Sequence, residues 1–104
     1  MSTPQEIQVV DNSEAQRYEA QTEAGLAFAE YRPVANALVF SHTEVPEGLE
    51  GQGVGSSLLR FALDDARSRG LQVVPMCPFV AAFIGKHREY VDLVHPQQRG
   101  VFGL

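Results

Sequence analysis

The sequence predicts an α/β (α+β) domain, a mixed sheet of about five strands with two to three helices. Three observations predict it. Four strand-like segments crowd the first 45 residues, separated by turn chemistry short enough for an antiparallel meander. One long amphipathic stripe then runs from Val54 to the arginines before Gly70. A short apolar run, 71–75, follows it. Strand, helix and strand make a unit whose two strands should be parallel, with a right-handed crossover.

The elements follow in order. Residues 1–5 read as a flexible start, and Ile7 to Val10 as a first strand. Asp11-Asn12-Ser13 is turn chemistry. Gln16 to Gln21 is a polar second strand, closed by the turn Glu23-Ala24-Gly25. Leu26 to Arg32 alternates, with Leu26, Phe28 and Glu30 opposed to Ala27, Ala29 and Tyr31, until Pro33 and Asn36 break it. Ala37 to Val45 is the strongest strand. Strict alternation puts Leu38, Phe40, His42 and Glu44 on one face and Ser41, Thr43 and Val45 on the other.

A loop, Pro46 to Gly51, leads into the long helix. Its stripe is Val54, Leu58, Ala62 and Ala66, widened by Leu59, Phe61 and Leu63. Asp65 and Arg69 form an i, i+4 pair, Arg67 and Arg69 suit the last turn, and Gly70 suits the residue after it. Leu71 to Pro75 is the fifth strand. Cys77 falls at the N-cap of a second helix with Pro78 in its first turn, and Phe79 with Phe83 and Val80 with Ile84 are core pairs. Arg88 to Val94 reads as one more helical turn and His95 to Leu104 as a loose tail.

Composition bounds the function. The chain of 104 residues makes one domain, 1–104. Its 44% apolar share is globular, and a formal charge of −5 disfavours nucleic acid and anionic membranes as partners. The single cysteine permits no internal disulfide, and MSTPQEIQVV has no basic n-region or apolar h-region. No apolar run approaches the roughly 20 residues that span a bilayer. A cytoplasmic monomer or weak homodimer is expected.

The run Thr43 to Ser56, TEVPEGLEGQGVGS, carries the most chemistry. A glycine-rich loop opening a helix lets bare N–H groups face an anion. A Walker A loop is excluded: Gly48 and Gly53 have its spacing, but Val54 stands where the lysine must be. Gly51, Gly53 and Gly55 read G-x-G-x-G, and the next strand ends Val74-Pro75-Met76 without the acid of a dinucleotide site. A tight turn with no ligand is the plain alternative. Cys77, at a helix start after the fifth strand, is either a buried structural thiol or a nucleophile whose thiolate the helix start favours. His42 and Glu44 form a structural pair or serve as proton acceptors for an ammonium nucleophile. His87, Glu89 and Tyr90 lack a second ligand pair, so no metal is expected, and His87 reads as a partner of the second helix's C-terminal dipole.

Gly53-Val54-Gly55 opening a helix after Thr43-Glu44-Val45-Pro46 resembles the acetyl-CoA loop of the GNAT acetyltransferase superfamily, Gln/Arg-x-x-Gly-x-Gly/Ala. Glu50 stands where Gln or Arg is usual. With His42, Gly51-Gln52, Pro75-x-Cys77-Pro78-Phe79-Val80, Ile84, His87, Glu89-Tyr90 and Asp92-Leu93-Val94, the chain looks like the small acetyltransferase-like proteins of the YjdJ type over most of residues 26–94. Arg88 replaces that family's usual proline.

The resemblance implies a minimal GNAT-like fold with acetyl-CoA (coenzyme A) as cosubstrate. The pyrophosphate would rest on Gly51, Gln52, Gly53, Val54, Gly55 and Ser56, with Pro78 and Phe79 as further coenzyme contacts. Val45 would offer its N–H to the thioester carbonyl, and Cys77 would face the thioester and take up the acetyl group. The implied activity is acetyl transfer to an unidentified amine, directly or through acetyl-Cys77. The alternatives are a non-catalytic acyl-CoA binding or sensing module, because this short chain lacks the walls of larger relatives' acceptor sites, and a thiol-reactive protein using Cys77 alone.

Overall fold

Five strands form one mixed sheet in the order β1-β2-β3-β4-β5: Val9–Asn12, Arg17–Thr22, Gly25–Val34, Ala37–Glu44 and Gln72–Pro75. The computed structural model describes residues 8–49 and 53–104. β1 to β4 are an antiparallel meander, and β4 pairs with β5 in parallel. Helix α1 (Val54–Ser68) makes the crossover. Helix α2 (Pro78–Lys86) and a 3-10 segment (Arg88–Leu93) follow β5. The architecture is the α+β one expected. Among the described residues no helix is long and apolar enough to cross a membrane.

The boundaries shift where tertiary contacts act. Asp11 and Asn12 are paired strand, not turn, because Tyr31 donates a 2.5 Å hydrogen bond to Asp11 and Asn12 donates one to Glu19. Ile7 lies outside the described residues. β3 runs through Pro33, past the last β2–β3 pair, Arg17↔Glu30. Beyond that point β3 has one neighbouring strand, and an edge tolerates proline. α1 stops at Ser68, with Gly70 left-handed at φ 70°. Leu71 N–H reaches Ala66 C=O and Gly70 N–H reaches Arg67 C=O, the Schellman closure that Gly70 predicted. The tail is drawn in rather than loose. Pro96–Gln98 form a 3-10 turn, and Phe102 and Leu104 pack against the core.

One face of the sheet carries the core: Tyr18, Ala20, Ala27, Ala29, Tyr31, Leu38, Phe40 and Val73 meet α1 through Leu58, Leu59, Ala62, Leu63 and Ala66. Each of the chain's three tyrosines ends on an aspartate of another element: Tyr18 on Asp65 at 2.7 Å, Tyr31 on Asp11, and Tyr90 on Asp64 at 2.9 Å. Arg69 ties the first two together, at 2.6 Å from Asp11 and 2.7 Å from Asp65. Burial pushes the Asp65 carboxyl up, but hydrogen bonds from Arg69 and Tyr18 outweigh it and hold it below its ordinary value.

All three phenols are raised, by burial first and then by the aspartate each one meets, and Tyr31 is pushed up to about 12. The unfolded chain would ionise its tyrosines near pH 10. Raised folded values therefore give stability that is intact below about pH 10 and drains as pH rises above it. Alkaline titration should show tyrosinate absorbance rising cooperatively with loss of the far-UV circular dichroism signal. A smooth ionisation centred near pH 10 with the dichroism intact would contradict it.

β4 departs from strict alternation. Tyr31 pairs with Phe40 and Glu30 with His42, so Ser41 is an extra residue with no partner on β3. A bulge of this kind bends the strand and re-aims its side chains. Leu38 and Phe40 are buried toward the helices, and beyond the bulge Thr43 and Val45 take that side. His42 and Glu44 go to the opposite, open face, across from Glu30 and Phe28. The expected facing, with His42 and Glu44 beside Phe40, is corrected by this one residue.

Candidate active site

β4 and β5 pair only from Ala37↔Gln72 to Phe40↔Pro75. The Cys77 N–H donates to Phe40 C=O at 2.9 Å, which is their last tie. β5 then ends and the chain turns into α2, while β4 continues through Glu44 with no strand among the described residues on that side. The two strands part as a wedge. Thr43 and Val45 line it from β4, Leu49 from the loop, Gly53, Gly55 and Ser56 from the start of α1, and Phe79 from α2. They bound one cavity of about 590 Å³.

Two glycines are required here for different reasons. Gly53 caps α1 at φ 85°, a left-handed conformation that side chains resist. It provides no side-chain cap, and the first turn holds no acid, so among the described residues no anion meets the leading N–H groups of α1, which begins at the cavity. Gly55 is required by space. A Cβ there would lie 2.8 Å from the Phe79 ring and 3.5 Å from Val45, so the ring rests directly on bare backbone.

Five of the expected site residues therefore meet at one cavity: Val45, Gly53, Gly55, Ser56 and Phe79. Val54 is 1% exposed, so its side chain belongs to the core and only its N–H is left to offer. Pro78 is exposed at the first position of α2 and does not line the cavity. Gly51, Gln52 and Glu50 lie outside the described residues. Cys77 is the N-cap of α2, as expected, and is buried. Its Sγ lies 3.7 Å from Thr43 Oγ1, so it stands immediately behind the cavity wall. His42 Nε2 and Glu44 Oε2 are 2.9 Å apart on the open face, both half-exposed, with the Phe28 ring 5.9 Å from the imidazole. His42 and Glu44 are thus separated from Cys77 by the sheet itself.

Thr43 and Leu49 line the cavity without having been singled out. Leu49 had a visible signal, a lone leucine in a polar loop. Thr43 had none, since its aim depends on the bulge. His87 closes α2, donating its N–H to Phe83 and Ile84 carbonyls, and its ring lies tilted against the Phe83 ring, 4.2 Å away. Among the described residues no group of three His, Cys, Asp or Glu is placed to hold a metal ion.

The sequence profile of a family described as GCN5-related N-acetyl-transferase matches residues 17–93. The chain is also similar to a GCN5-like candidate N-acetyltransferase from Staphylococcus aureus solved by NMR in solution. The two share 28% identity over 90% of this chain and 91% of that one, with a TM-score of 0.67. No curated protein sequence matches significantly. The matched span contains the whole wedge, from β2 through Cys77 and α2 to the 3-10 segment. The chain belongs to the GCN5-related N-acetyltransferase family.

Proposed function

We propose that this domain binds acetyl-CoA in the wedge between β4 and β5 and transfers the acetyl group to an amine. One observation carries the reading. Residues from four separate segments of the chain converge on a single cavity beside a helix N-terminus that no described side chain caps. Such an end attracts a pyrophosphate through its N–H groups and its roughly half positive charge. The coenzyme's arm carries amides that suit the side of β4 beyond Phe40, where no strand of the described residues pairs with it. The thioester would then lie toward Val45 and Thr43, with Cys77 behind them.

The acceptor must lose a proton before it attacks a thioester, and His42 with Glu44 would take it. They lie on the open sheet face, so the amine would approach from the side opposite the helices. Transfer is either direct or through acetyl-Cys77. The second reading, an acyl-CoA binding or sensing module, has one observation in its favour: Cys77 is only 6% exposed and does not itself line the cavity.

Thermal melts test the coenzyme. At 100 times its dissociation constant a specific ligand adds about 2.7 kcal/mol of stability. A clear upward shift of the melting temperature with acetyl-CoA is expected, and no shift would remove the reading. Intact-mass measurement should then find one added acetyl group that Cys77→Ala abolishes. Lys86 is the only lysine of the chain, so competing amine labels are few. Binding with neither label nor coenzyme release across a broad amine panel would favour the sensing module.

A further inference from the structure

We propose that Thr43 is the positioning residue for the Cys77 thiol. The proposal rests on the reading of Cys77 as an acetyl carrier and names the residue that would make it one. Three facts converge. Thr43 lines the cavity, and Cys77 does not. The Cys77 S–H donates to Thr43 Oγ1 at 3.7 Å, which links the thiol to a residue of the cavity wall. The bulge takes Ser41 out of the alternation, so that Thr43, three residues after Phe40, shares the side of Phe40 and faces Cys77.

A hydroxyl is suited to this place because it both accepts and donates. In the resting protein it accepts the thiol proton and fixes the sulfur's rotamer toward the cavity. When the sulfur carries negative charge, the hydroxyl turns and donates to it, and a hydrogen bond to a charged group is the stronger kind. In the acetylation step the Cys77 sulfur attacks the thioester carbonyl carbon. The new S–C bond forms as the bond between that carbon and the coenzyme sulfur breaks. The proton of Cys77 passes by way of the Thr43 hydroxyl to the departing coenzyme thiolate. The balance is thiol plus acetyl thioester giving acetyl-Cys77 plus coenzyme thiol, with no oxidant or metal required.

The test compares Thr43→Val, which keeps the shape and removes the hydroxyl, with Thr43→Ser, which keeps the hydroxyl. The rate of Cys77 alkylation by iodoacetamide is followed against pH in the native protein, beside the melting shift given by acetyl-CoA. The valine variant should alkylate roughly tenfold more slowly and require higher pH, and the serine variant should restore the wild-type profile. Equal profiles for wild type and Thr43→Val overturn the proposal. So does a wild-type Cys77 that resists alkylation at every pH where the protein stays folded. Alkylation needs no coenzyme, so a missing melting shift counts against the coenzyme reading, while the alkylation profiles alone decide the role of Thr43.

Discussion

Gly55→Ala should abolish most acetyl-CoA binding while leaving the fold intact. The added Cβ would stand 2.8 Å from the Phe79 ring, a distance real contacts do not tolerate, and 3.5 Å from Val45. The ring can move, since Phe79 is 45% exposed and the clash falls on its far end. Stability is therefore spared, and alanine inside a helix is favoured over glycine by up to about 1 kcal/mol. The ligand is not spared. Gly55 belongs to the first turn, whose N–H groups are the proposed pyrophosphate cradle, and the displaced ring is pushed into the same cavity. Loss of one good backbone contact to an anion is worth roughly 1.5–3 kcal/mol, so affinity should fall at least about tenfold. Calorimetry on the variant measures it. The double variant with Phe79→Ala separates the two causes. Recovered affinity would assign the loss to the ring, and continued loss to blocked backbone. Unchanged affinity in the single variant would mean the coenzyme does not approach α1 here.

The fold was legible in the chain because its signals are local and redundant. The stripe from Val54 to Ala66, Gly70 after it and Pro78 at the start of α2 each state one boundary, and each boundary lies within a residue or two of the structure. β1 was misplaced because its end is fixed by Tyr31 and Arg69 reaching Asp11 from distant segments. The cavity was half legible. Glycines in a strand-to-helix loop announce a helix N-terminus, and Val45 and Phe79 came with the family resemblance. The aim of β4 was not legible at all. Ser41 looks like any other strand residue, and nothing in the sequence says that it goes unpaired. One uncounted residue was enough to move Thr43 and Val45 to the helix side and His42 and Glu44 to the open side.

That dependence makes deletion of Ser41 the sharpest test of how the wedge is made. Without it the β3–β4 register is uninterrupted: Phe40 still faces Tyr31, and His42 follows directly, opposite Glu30. Alternation then becomes regular and keeps every side chain on its present face, with Thr43 and Val45 inward and His42 and Glu44 outward. No buried residue is exposed and no charge is buried, so the domain should fold and melt near the wild-type temperature. What disappears is the bend. A bulge increases local twist and turns the strand from its neighbour's path, and here the neighbour on that side is β5, whose pairing stops at Phe40↔Pro75, immediately before Ser41. A straight β4 would run on beside the start of α2 and narrow the wedge that Thr43, Val45 and Phe79 now hold open. The expected outcome is a folded protein in which acetyl-CoA raises the melting temperature little or not at all, and in which Cys77 alkylates more slowly. If the deletion variant folds and still shows the full melting shift, the wedge is not set by the bulge. The parting of β4 from β5 would then be imposed by the turn at Met76 and by Phe79 packing on Gly55.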